Sequence, residues 1–233
     1  APRNGIVVNT PEMRMYVFKT SEGHPKRLRV TTYPISIGRQ NWHTPSGIMK
    51  IVAKAKDPAW YPPESIRKEH AEEGDDLPRI VPPGPDNPLG RHAIRLSLAG
   101  YLIHGTNKPY GIGMRVTHGC IRMYPKDVEA IFKNVPVGTP VYIVNQPFKV
   151  GMAFGHIYLE AHPHLKEDSD LYTEQYANVV ALILGKLKDF DADLRWADIK
   201  TVLEDRSGVP VSIGTLKLRP GGPPPETGLT KLA

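Results

Sequence analysis

The chain has 233 residues, 40% of them hydrophobic and 23% charged, enough to bury one sizeable core with or without an appendage. No apolar run approaches the roughly 18 residues that cross a membrane as a helix, so no transmembrane segment is read. The net charge of +6 and pI near 9.3 suit anionic partners, but there is no recognition-helix pattern, zinc spacing or RNP-like aromatic strand, which sets nucleic acid aside.

The charge is uneven. Residues 1–56 carry ten Lys/Arg against two Asp/Glu, and 87–159 carry eight against two. Residues 57–86 reverse this with three against eight, and 160–206 with six against eleven. A basic core with acidic additions follows. The chain opens on Ala1-Pro2-Arg3 with neither initiator Met nor signal peptide, and reads as a mature or trimmed form.

Ile6–Asn9 and Met13–Lys19 are two short β-type runs around Thr10-Pro11-Glu12, which predicts a hairpin. Leu28–Tyr33 alternates as a half-buried strand, and Pro34–Gly38 leads into a loop holding Trp42 and His43. Ile48–Lys56 reads as a strand with Ile48, Val52 and Ala53 inward and Lys50, Lys54 and Lys56 on a wet face. Between Asp57 and Asn87 there are seven prolines, an acidic cluster and no apolar period, which marks an irregular insertion anchored by Trp60, Tyr61 and Ile66.

Ala93–Leu96 and Tyr101–His104 are the next strands. A short helix after Pro125 has Val128, Ile131 and Phe132 on one face, and Val141–Asn145 closes the sheet. Val150–Ala161 suggests a strand pair. Two helices follow, one with Tyr172, Tyr176, Val179, Val180, Ile183 and Leu187 inward, the other with Trp196, Ile199, Val202 and Leu203, capped by Asp193. The expected organisation is a domain over 4–146 with its insertion at 57–87, an appendage over 147–212 and a flexible tail over 213–233. His162-Pro163-His164 lacks a third ligand nearby and is read as surface, so no metal site is assigned.

The chemistry concentrates in Tyr101–Met123, which holds the single cysteine, two of the nine histidines and four glycines. A thiol attacks as thiolate, from an ordinary pKa of about 8.5, and needs an imidazole or cation beside it. His104, at the end of an apolar strand, and His118, two residues before Cys120, are both candidate bases. Gly119 frees the backbone to present N–H groups to a developing oxyanion, and Arg122 adds a fixed charge.

The pattern HGTNKP from His104, then THGCIRM from Thr117, resembles the signature of the L,D-transpeptidase (YkuD-type) catalytic domain. GIVVN from Gly5, TPSGIMKI from Thr44 and NPLGRHAIRL from Asn87 flank it in the family's order, over roughly Asn4 to Gln146. Some relatives carry Ser where Gly105 stands and many carry Asn where Arg122 stands; Arg122 fits the Gram-negative branch.

The resemblance implies a mainly β sandwich or barrel with short helices, the insertion as a lid, and a C-terminal helical appendage. It implies Cys120 as nucleophile, His104 as base oriented by the Gly105 carbonyl, and His118, Gly119 and Cys120 N–H groups at the oxyanion. Thr117, Tyr110, Met114, Arg115 and Arg122 become candidate substrate contacts; the alternative for Arg122 is a structural salt bridge to Asp127. It also implies no cofactor, a periplasmic setting, peptidoglycan stem peptides as donor, and a lipoprotein lysine or a diaminopimelate amine as acceptor. Hydrolysis by the same cysteine and a non-catalytic wall-binding module are the alternatives.

Overall fold

A computed structural model describes residues 2–21 and 24–217. The chain divides into two compact units, Ala1–Asn145 and Gln146–Ala233.

In the first unit β1 (Gly5–Asn9) pairs antiparallel with β2 (Arg14–Ser21) and parallel with β9 (Pro140–Val144). From β9 the sheet continues through β4 (Gly47–Lys56), β5 (His92–Leu96), β6 (Leu102–His104) and β8 (Ile121–Met123) to β3 (His24–Gly38). β3 pairs back onto β2, so the sheet closes into a barrel and leaves no edge there. β7 (Arg115–Thr117) adds parallel to the end of β3. The first unit is mainly β, as the sequence implies.

The barrel is filled by inward β-branched and sulfur side chains, with Ile6, Val8, Ile35, Ile51, Ile94, Ile103, Ile121, Met123 and Val141 all buried. α2 (Pro125–Asn134) covers it with Val128 and Ile131, and Lys54 caps its last carbonyls by donating to Phe132 O and, at 2.9 Å, to Val135 O.

Two sequence expectations change. β4 buries Met49 and Ile51, while Ile48, expected inward, is 78% exposed and Val52 39% exposed, both on the face of Lys50. Side chains an even number of residues apart share a face of a strand, so Ile48 and Val52 go with Lys50, and β4 is irregular only between Ile51 and Ala53. The insertion contains a helix, α1 (Glu64–Glu72), whose only buried residue is Ile66, so it shows no apolar period.

The insertion is stapled at its base. Trp60 and Val81 exchange backbone hydrogen bonds, and buried Asn87 donates from Nδ2 to the carbonyls of Pro58, Val81 and Pro82 while its Oδ1 accepts from Leu89 N–H. Tyr61, expected as an anchor, is 66% exposed.

The second unit is a four-stranded antiparallel sheet in the order β10 (Phe148–Ala153), β11 (His156–Ala161), β13 (Val211–Lys217), β12 (Asp191–Leu194). Positive φ at both Phe154 and Gly155 makes the tight turn that joins the first two strands. α3 (Gln175–Leu187) and α4 (Trp196–Asp205) bury Val179, Ile183, Leu187, Ile199, Val202 and Leu203 with the sheet. Tyr176 and Trp196 stand on the open side, 45% and 47% exposed, and the Tyr172 side chain lies outside what is described. The expected appendage of two helices is thus a small α+β unit. Asp193 belongs to β12 and α4 starts after Arg195, whose Nε donates to Asp198. His162 is not a free surface group: its Nε2 meets Glu160 Oε1 at 2.6 Å, as does Lys149 Nζ. Of the tail expected over 213–233, residues 213–217 are the end of β13, and 218–233 lie outside the described residues.

Candidate active site

The register of β6 and β8 builds the site. They run parallel with Ile103 opposite Ile121 and His104 opposite Arg122. Strand side chains alternate, so Ile103 and Ile121 fill the core while Leu102, His104, Cys120 and Arg122 share the other face.

His104 is 4% exposed, and its Nδ1 lies 2.6 Å from Gly105 O. A carbonyl only accepts, so Nδ1 carries the proton and Nε2 is the bare nitrogen. Burial, helped by the Arg122 cation, pulls the imidazole down to about 4 despite the upward pull of the Gly105 carbonyl. His104 is therefore neutral at pH 7.

The Cys120 thiol donates to Gly100 O at 3.6 Å. Burial pushes the thiol up, more strongly than a hydrogen bond from Leu102 N–H and the Arg122 charge pull it down. The resting pair is a neutral thiol with a neutral imidazole.

The turn before Cys120 is held by two threonines. Thr117 Oγ1 donates to Cys120 O at 2.6 Å and accepts from Gly119 N–H at 3.2 Å. Thr44 Oγ1 donates to Gly119 O at 2.8 Å and accepts from Gly38 N–H at 3.0 Å. Because C=O and N–H oppose one another across a trans peptide, anchoring Gly119 O also fixes the direction of Cys120 N–H. Gly119 has φ 99, and a Cβ there would lie 2.9 Å from the Tyr101 ring and 3.3 Å from His43 O, so the site demands glycine.

The turn is also tied to the insertion. His118 Nε2 lies 2.7 Å from Glu69 Oε2 on α1 and 2.6 Å from Arg39 Nη2, and Arg39 ion-pairs with Glu69. Trp42 packs edge-on against the His118 ring at 5.0 Å. Burial holds the His118 imidazole below its ordinary value, opposed by the Glu69 hydrogen bond.

The family model for the L,D-transpeptidase catalytic domain (YkuD) matches residues 3–143. The chain belongs to the L,D-transpeptidase family. A probable L,D-transpeptidase of Escherichia coli, YcfS, is 38% identical over 94% of this chain and 68% of its own length, and the probable L,D-transpeptidase ErfK/SrfK of the same organism is 39% identical over 91% and 68%. Among solved structures, an L,D-transpeptidase from Mycobacterium smegmatis is 20% identical, with a TM-score of 0.46 over 61% of this chain and 58% of that one. Among the described residues of this L,D-transpeptidase no helix is long and apolar enough to cross a membrane.

The remaining candidates fall into two groups. Arg122 is half-buried, its Nε has no hydrogen-bond partner, and among the described residues no carboxylate pairs with it. Among the described residues no ion pair joins Arg122 to Asp127, whose carboxyl is raised by burial. An unpaired cation on the face of Cys120 is costly unless a ligand supplies the anion. Tyr110 and Met114 are 81% and 55% exposed, and Arg115 Nε donates to Gly38 O at 3.0 Å, a contact that holds the β3 end.

Sequence reasoning passed over Thr44, Arg39, Trp42 and Glu69. Thr44 stood in a quoted motif without a role. Glu69 is one acid among the eight of its segment, and nothing local distinguishes it.

Proposed function

We propose that this L,D-transpeptidase acts through Cys120 on the tetrapeptide stem of peptidoglycan. As the sulfur attacks the carbonyl of the third residue, meso-diaminopimelate, His104 Nε2 takes the thiol proton. Because both groups rest neutral, proton transfer accompanies attack and no preformed thiolate is required. The observation that carries this reading is the shared face of His104 and Cys120 on β6 and the start of β8, with Nε2 as the bare nitrogen.

The His118 and Cys120 N–H groups are the proposed oxyanion donors; Gly119 N–H, the third named from the sequence, is engaged by Thr117. The imidazolium then protonates the departing amine of D-Ala, leaving a thioester. An acceptor amine attacks the thioester, His104 removes its proton, and that proton returns to the leaving sulfur as the new amide forms. Arg122 takes a free carboxylate of the stem by a charge-assisted contact. Thr117 holds the turn, Tyr110 and Met114 flank the cleft mouth, and Arg115 keeps β7 on β3. The residues 4–146 form the catalytic domain and 147–212 an appendage. No cofactor enters the scheme, and the substrate sets the reaction in the periplasm.

The acceptor is a lysine of an outer-membrane lipoprotein or the side-chain amine of another diaminopimelate. The test incubates the protein and Cys120→Ala with purified tetrapeptide muropeptides, with and without a lysine-ended lipoprotein peptide, and follows masses by liquid chromatography. Loss of D-Ala coupled to a new amide is expected with the wild type alone, and the amide's partner names the acceptor. Loss of D-Ala without a new amide would make the protein a hydrolase, and turnover by Cys120→Ala would end the scheme.

A further inference from the structure

Glu69 is the one side chain of α1 that reaches the nucleophile turn by a described hydrogen bond. Its Oε2 lies 2.7 Å from His118 Nε2, its Oε1 pairs with Arg39, and the same Arg39 Nη2 lies 2.6 Å from that ring nitrogen. A carboxylate only accepts and a guanidinium only donates, so one nitrogen meets opposite demands. With Nε2 protonated, it donates to Glu69, and the carboxylate holds Arg39 as well. With Nε2 bare, it accepts from Arg39 while the Glu69 oxygen faces a lone pair. The first arrangement satisfies more groups. Either way Nε2 is occupied, and the ring is gripped by an ion pair on one side and Trp42 on the other.

The grip matters because the backbone of His118 leads directly into the turn. Thr117 and Thr44 fix the carbonyls of Cys120 and Gly119. Among the described contacts of this turn, those through the His118 side chain are the ones that reach α1. His70, the other titratable group beside the ring, lies 6.4 Å away and bonds to Asp75 instead.

We propose that Glu69 is a positioning residue for the transpeptidase reaction, fixing the His118–Cys120 turn from the insertion so that the insertion is part of the catalytic architecture. The inference rests on Cys120 being the nucleophile. Glu69 is not needed to hold the insertion itself, which keeps buried Ile66 and the Asn87 staple.

The experiment measures tetrapeptide turnover and acylation by a carbapenem-type β-lactam for the wild type, Glu69→Ala, Glu69→Gln, His118→Ala and the Glu69→Ala/His118→Ala double variant. Glu69→Ala should lower kcat about tenfold, the effect of one hydrogen bond to a charged group, with KM within about twofold. Glu69→Gln, whose amide oxygen still accepts from Nε2–H, should recover part of the loss. The double variant should be no slower than His118→Ala, and the His118 ring nitrogen resonances should shift in Glu69→Ala. Wild-type kcat in Glu69→Ala, or a double variant slower by the product of the two single effects, overturns the inference. Failure of the wild type to form any acyl-enzyme would instead remove the reading of Cys120 on which it rests.

Discussion

The two histidines of the site are wired in opposite ways. His104 is nearly inaccessible and oriented by the carbonyl of the very next residue, which leaves Nε2 bare. His118 is tied through Nε2 to Glu69 and Arg39, which stand 49 and 79 residues away in the chain. In the proposed mechanism the first arrangement presents a nitrogen to the reaction, and the second withdraws one. From residue types alone both were equal candidates for the base. Their hydrogen bonds separate them.

The sharpest way to break that comparison is replacement of each ring. His104→Ala should lower acylation by on the order of 10² to 10⁴, the usual contribution of a general base. Stopped-flow acylation with a carbapenem-type agent reads this directly. A mild His104→Ala beside a severe His118→Ala would invert the assignment.

Protonation tests the same contrast without changing the reaction. His104 sits at about 4 in the folded protein, and its ordinary value is 6.5. Its folded value is the lower one, so between those limits the unfolded chain binds the extra proton and stability rises with pH. The contribution is fully present above pH 6.5 and is lost as pH falls toward 4. It amounts to roughly 3 kcal/mol between pH 7 and pH 4. Urea titrations at several pH values should show that loss, and His104→Gln should flatten it. The acid limb of kcat/KM should likewise lie near 4, and a limb near 6.5 would contradict the buried, neutral base.

Gly119→Ala probes the turn rather than either ring. The methyl would meet the Tyr101 ring at 2.9 Å, on a backbone with φ 99. A cost of about 1–3 kcal/mol in stability is expected from such strain, read as a fall in melting temperature, together with slower acylation. Unchanged melting would mean that Tyr101 moves aside freely.

How much of this was legible in the chain follows sequence distance. The strand that ends at His104 and the helix after Pro125 could be read because period and turn chemistry are local, whereas β8, three residues long, was not. Ile48 and Val52 were misplaced in β4 because their hydrophobicity was read before their parity: both stand two residues from Lys50 and share its exposed face, while Met49 and Ile51 face in. α1 was missed because one buried Ile66 makes no periodicity. Glu69 and Thr44 were invisible because their roles exist only once β3, α1 and the turn at Gly119 have come together.

His118→Ala carries the smallest expected effect and tests the comparison most narrowly. Removing the ring leaves the backbone N–H of residue 118 in place, so the proposed oxyanion donors survive; what is lost is the anchor to Glu69 and Arg39 and the contact with Trp42. Acylation should slow by about tenfold, comparable to losing one charged hydrogen bond. The ion pair between Arg39 and Glu69 stays, since neither needs the ring to neutralise the other. An effect approaching that of His104→Ala would mean that Nδ1 of His118 exchanges protons with substrate, and the two histidines would then divide the proton transfers between acylation and deacylation. Solvent isotope effects measured separately on thioester formation and on aminolysis would show that division as a loss confined to one step.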